Sequence, residues 1–120
     1  MYKISVKSHF SAAHHLRDYN GDCENMHGHN WNVEVTAGYE SLQADGIAVD
    51  FRDLKRITDE VVDALDHKDL NQLDFLNGIN PTSENIAKYI HDRIKDAGIP
   101  VLTTKVSETE FYSATYTEER

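Results

Sequence analysis

Cys23, His27 and His29 fall within nine residues, in the run CENMHGHNW at 23–31. On a strand, residues i and i+2 project from the same face, so His27 and His29 point together. Gly28 between them lets another backbone approach. Two imidazoles on one face have an ordinary reading, as half-buried strand histidines bonded to backbone. A third imidazole changes the chemistry available, because three neutral histidines bind zinc and leave the fourth tetrahedral position open. His14, in FSAAHHL at 10–16, is the candidate third ligand. The one cysteine of the chain offers a competing arrangement, a closed structural site with Cys23 as fourth ligand.

Two further features carry proton chemistry. Asp66 and His67 are adjacent in LDHKDLN at 65–71. A carboxylate bonded to one ring nitrogen fixes the tautomer and favours imidazolium, and such a pair can activate a nearby thiol. A solvated aspartate and a histidine complementing a helix C-terminus account for the same dipeptide. Glu108 continues the parity of Leu102, Thr104 and Val106 and is expected to face inward. A buried carboxylate needs a partner, either a basic side chain or a ligand edge with two adjacent N–H donors. Thr82, Ser83 and Glu84, in PTSEN, bring hydroxyls and free N–H groups to a helix start, where capping alone also explains them.

The elements that must position these groups follow from periodicity. Tyr2, Ile4, Val6, Phe10 and Ala12 alternate with Lys3, Ser5, Lys7 and His9, which predicts a half-buried strand. His14 shares the apolar parity, whereas His9 and His15 share the polar one, provided that no bulge intervenes. A polar loop, RDYNGDCEN, leads to a second strand from about His27 to Tyr39. Asp50 starts a helix whose apolar row is Phe51, Leu54, Ile57, Val61 and Leu65. A loop through DHKDLNQLDFLNGINP follows, and Thr82 caps a second helix bearing Ile86, Ile90 and Ile94. Two strands, VLTTKVSE and FYSATYT, end the chain around a very short turn at Thr109–Glu110. The order β-β-α-α-β-β predicts one α+β domain over residues 1–120, with a four-stranded antiparallel sheet and two segregated helices. Its sheet edges are open and invite pairing between subunits.

Composition sets the outer bounds. The formal charge of −9 argues against general nucleic-acid or membrane-surface binding, since phosphate backbones demand dense Lys and Arg. An anionic ligand would need a local basic pocket, and Arg17, Lys68 and Lys105 are candidates on charge alone. A single cysteine forms no internal disulfide. MYKISVKSHF alternates instead of forming an apolar run, and no segment approaches the roughly 20 apolar residues of a membrane helix. A cytoplasmic location is expected.

FSAAHHL, CENMHGHNW, VDF (49–51), LDHKDLN, NPTSENIA (80–87) and VSET (106–109) together resemble, in order, the 6-pyruvoyl-tetrahydropterin synthase / 6-carboxy-tetrahydropterin synthase family. The Cys-x3-His-Gly-His spacing is similar to its bacterial 6-carboxy branch, which serves queuosine (7-deazaguanine) biosynthesis. The resemblance implies the tunnelling fold, in which three subunits join their sheets into a twelve-stranded barrel and two such rings stack into a homohexamer. It implies Zn2+ on His14, His27 and His29. It further implies Cys23 as proton acceptor, tuned by Asp66 and His67, and Glu108 as anchor of the pterin's amino-pyrimidine edge, helped by Thr82, Ser83 and Glu84. The implied substrate is 7,8-dihydroneopterin triphosphate. The implied products are 6-carboxy-5,6,7,8-tetrahydropterin, acetaldehyde and triphosphate. Two local departures bear on the site. His15 follows His14 directly, and Glu24 beside Cys23 would raise the thiol's pKa unless it points away.

Overall fold

Alternating side chains form a long hairpin at the N-terminal end. β1 (Tyr2–His14) and β2 (His27–Tyr39) pair antiparallel in an unbroken register, from Tyr2 opposite Tyr39 to His14 opposite His27. The computed structural model describes residues 1–16, 27–76 and 78–118, with the backbone alone at His27. Because no bulge interrupts this ladder, the parity that places His14 with Phe10 and Ala12 holds to the end of β1; all three are buried.

α1 (Phe51–Asp63) starts at Asp50, whose carboxylate accepts from the backbone N–H of Arg52 at 2.9 Å. Its buried face is Leu54, Thr58 and Val62, an i, i+4 row, with Ile57 and Val61 partly covered beside it. Phe51, expected in that row, is 64% exposed, because it lies one turn before the face that meets the sheet. α2 (Ser83–Asp96) is capped by Thr82, whose hydroxyl accepts from Asn85 N–H at 3.1 Å. Ile86, Ala87, Ile90 and Ile94 are fully buried along one side. Gly98, at φ +91°, takes the left-handed conformation that ends α2.

β4 (Val101–Thr109) and β5 (Tyr112–Thr117) form the second hairpin, and the tight turn falls at Glu110–Phe111. Between the helices, a segment expected to be a loop pairs instead with β1. β3 (Lys68–Asp69) lies parallel to it, Lys68 opposite Ala12 and Asp69 opposite Ala13, and two short 3-10 turns follow. The sheet is therefore mixed and five-stranded, in the order β3-β1-β2-β4-β5, rather than four-stranded and antiparallel. The cause is local. His67 donates its backbone N–H to Ser11 O at 2.6 Å, and this delivers the following residues to the β1 edge.

Both helices cover one sheet face, and the core lies between them: Phe10, Trp31, Val33, Val35 and Val106 from the strands meet Val62, Ile86, Ile90 and Ile94. The α+β class read from the sequence is the one observed. No helix among the described residues is long and apolar enough to cross a membrane.

Candidate active site

The candidate site stands where β1 ends and β2 begins, over the rim of the core. Trp31 forms its floor. The indole is fully buried, stacks on Phe10 with ring centroids 5.6 Å apart, and donates Nε1–H to Ala12 O at 3.3 Å. His14 and His29 stand edge-on to it, at 4.9 and 5.7 Å between centroids.

His14 is 1% exposed, and its Nδ1 lies 2.7 Å from the carbonyl oxygen of Pro81. A carbonyl only accepts, so Nδ1 carries a proton, and Nε2 is the ring atom turned toward the site. That Nε2 lies 3.3 Å from Glu108 Oε1, and His29 Nε2 lies 3.3 Å from Glu108 Oε2. Glu108 reaches this position from a β-bulge: the β4–β5 register shifts between Ser107 and Thr109, leaving Glu108 as the extra residue. Bulges of this kind re-aim side chains beside active sites.

One donor atom from each of His14, His29 and Glu108 lies within 4.8 Å of the others. This donor set suits a divalent cation. An Nδ1–H bonded to a main-chain carbonyl is the usual support of a ligating histidine.

Of the three histidines expected to bind metal, His14 and His29 come together. The backbone of His27 pairs with His14, and its side chain lies outside the described residues. Cys23, Glu24 and Arg17 also lie outside them. Glu108, expected as a ligand anchor, sits against the two imidazoles. Ser83, Glu84 and Glu108 line one open cleft of about 540 Å³, with Ser113 of β5 opposite. Thr82 acts as the helix cap and is half-buried.

A second open cleft, of about 520 Å³, lies on the other side of His29 and is lined by Gly28, Asn30, His67 and Lys68. A Cβ on Gly28 would meet nothing nearer than Ala12 O at 4.0 Å, so packing within this chain does not require glycine there. Asp66 and His67 join as expected, Oδ2 to Nδ1 at 3.0 Å. The backbone N–H of Ser11, 2.8 Å from Asp66 Oδ1, is the main reason that this carboxyl stays below the usual aspartate range, with His67 adding to it. His67 has φ +57°, a left-handed conformation uncommon for a residue with a Cβ, and its ring is 82% exposed at the sheet edge. Lys68 lines this cleft, whereas Lys105 lies beside Lys7 and Glu34 on the helix-free sheet face.

The sequence did not point to the Pro81 carbonyl as the support of His14, because a main-chain acceptor has no side-chain signature. Nor did it point to Asn71, whose side chain bonds both backbone groups of His15.

Residues 3–119 match the 6-pyruvoyl tetrahydropterin synthase family. The chain is 36% identical to 6-carboxy-5,6,7,8-tetrahydropterin synthase of Synechocystis sp., over 100% of this chain and 96% of that protein. It is 38% identical to dihydroneopterin monophosphate aldolase of Pyrococcus furiosus, over 78% of this chain and 75% of that protein. Among solved structures, 6-pyruvoyl tetrahydropterin synthase of Caenorhabditis elegans superposes with a TM-score of 0.88 at 27% identity, covering 98% of this chain and 96% of that one. With the likeness running nearly end to end in sequence and in fold, the chain belongs to the 6-pyruvoyl tetrahydropterin synthase family and is an enzyme.

Proposed function

We propose that this enzyme is a zinc-dependent 6-carboxy-tetrahydropterin synthase. It converts 7,8-dihydroneopterin triphosphate into 6-carboxy-5,6,7,8-tetrahydropterin, acetaldehyde and triphosphate, in queuosine-type biosynthesis. The observation that carries the reading is the convergence of the His14 and His29 Nε2 atoms, each 3.3 Å from Glu108, whose side chain also lines the open cleft. The near full-length similarity to a relative of that name supports the choice of reaction.

His14, His27 and His29 hold the ion. When bound, zinc supplies Lewis-acid polarisation of the substrate's side-chain hydroxyls. Glu108 accepts hydrogen bonds from the pterin's N–H edge in the cleft that it shares with Ser83 and Glu84. Lys68, in the cleft beyond His29, attracts the phosphates. Cys23 takes the proton from the side-chain carbon, and Asp66 fixes the His67 ring that relays it. The working assembly is a homohexamer, two stacked trimeric rings whose subunits pair through their sheet edges.

Incubation of zinc-loaded protein with 7,8-dihydroneopterin triphosphate, followed by mass spectrometry of all products, tests the reading. Acetaldehyde and the 6-carboxy product are expected. Triphosphate release without acetaldehyde would instead mean a 6-pyruvoyl product. The similarity to the Pyrococcus aldolase favours a second reading, in which the same site cleaves the side chain of a monophosphate. Turnover of dihydroneopterin monophosphate, with phosphate kept on a released two-carbon aldehyde, would select it. His27→Ala is expected to abolish zinc binding and turnover together. Cys23→Ala is expected to keep zinc at full stoichiometry and lose turnover.

A further inference from the structure

The segment that carries Asp66 and His67 does not merely pass the metal centre. It is fastened along β1 residue by residue. Ser11 gives its N–H to Asp66 Oδ1 at 2.8 Å and receives His67 N–H at 2.6 Å. Ala12 and Ala13 pair with Lys68 and Asp69. The last fastening is a side chain. Asn71 Oδ1 accepts from His15 N–H at 2.9 Å, and Asn71 Nδ2 donates to His15 O at 3.1 Å. Asn71 is itself buried, at 8% exposure, and its backbone N–H is held by Asp69 Oδ1 at 3.1 Å.

This arrangement reproduces, with one amide side chain, the donor-and-acceptor pair that a neighbouring strand would give His15. It falls where β1 stops, at the residue directly after His14. On the other side, Pro81 O fixes the His14 ring through Nδ1. The His14 ring is thus held by one segment, while the backbone of the next residue, His15, is held by another.

We propose that Asn71 is a positioning residue of the metal centre, whose amide holds the end of β1 so that His14 Nε2 stays aimed at His29 and Glu108. The proposal rests on the metal-binding reading above. Removing the amide leaves both His15 backbone groups to find other partners and releases the strand end next to a ligand. Groups that orient ligands in this way typically change metal affinity about 10–100-fold when lost.

The test uses cobalt(II) as the probe, titrated into the metal-free full-length protein and followed by its visible absorption bands. Asn71→Ala should weaken cobalt binding about 10–100-fold and alter the band shape. Ile90→Val, a core change in α2 that alters none of these hydrogen bonds, should lower thermal stability and leave cobalt affinity and spectrum within about twofold of the parent. If Asn71→Ala does not fold, Asn71→Ser replaces it under the same criteria. Parent-like affinity and bands in the Asn71 variant would overturn the proposal. So would an equal loss in Ile90→Val, since affinity would then merely follow stability. Failure of the parent protein to bind cobalt would overturn the metal-binding reading itself, and this inference with it.

Discussion

At the scale of single residues, Glu108 has two acceptor oxygens and a cleft on its far side. Glu108→Gln keeps the shape but turns one oxygen into a donor, which cannot pair with a pterin N–H. The loss of charge-assisted hydrogen bonds of about 1.5–3 kcal/mol predicts a fall in kcat/KM of roughly 10- to 150-fold, with metal retained on the imidazoles. Steady-state kinetics with metal analysis on the same preparation checks both halves. Ser8 illustrates the opposite case, a polar group with a purely structural use. Its hydroxyl donates to Asp59 Oδ1 at 2.7 Å from an inner-face position on β1, tying α1 to the sheet, and Lys55 bonds the same oxygen. Ser8→Ala should lower stability by about 1 kcal/mol in chemical denaturation and leave kcat unchanged.

At the scale of elements, legibility tracked how local the cause was. The alternation in β1 and β2 and the isoleucine row of α2 are written in consecutive residues, and each was readable. So was the shared face of His14 and His29, because strand parity alone decides it. The Lys68–Asp69 strand was not readable, since its cause is a backbone bond to Ser11 far away in sequence. The β-bulge at Glu108 was equally silent; parity alone turned the residue inward, and the register shift became visible only in the pairing. The caps were legible, and Thr82→Ala should cost about 1 kcal/mol, seen as a Tm lower by a few degrees. α2 also carries a buried histidine with no place in the catalytic reading. His91 Nδ1 lies 3.1 Å from Thr104 Oγ1, and Tyr116 covers the ring edge-on at 4.8 Å. Burial holds its pKa below the ordinary histidine value of 6.5, partly countered by Glu118 at 3.6 Å. The unfolded chain then binds this proton more readily than the folded one. The associated stability is fully present above pH 6.5 and lost as pH falls toward the depressed value. His91→Asn should show a flatter Tm-against-pH curve than the parent below pH 6.5, measured by calorimetry.

At the scale of the whole molecule, most of β1 and the whole of β5 have no further strand beside them among the described residues. β3 pairs with Ala12 and Ala13 near the end of β1, and β5 forms the other edge, with Phe111 and Tyr112 beside its turn each 77% exposed. Edges of this length are rarely left uncovered. Thr115→Pro removes a backbone donor from β5 and should shift the hexamer proposed above to smaller species in light scattering, with activity falling in step. The core supplies a further handle. Trp31 is the one tryptophan in the chain, and it underlies both His14 and His29. Its intrinsic fluorescence arises beside the proposed metal site, so a quenching ion such as copper(II) or cobalt(II) bound there should dim the emission stoichiometrically. With such a probe ion, one buried ring becomes an optical gauge of the site, readable without label or substrate.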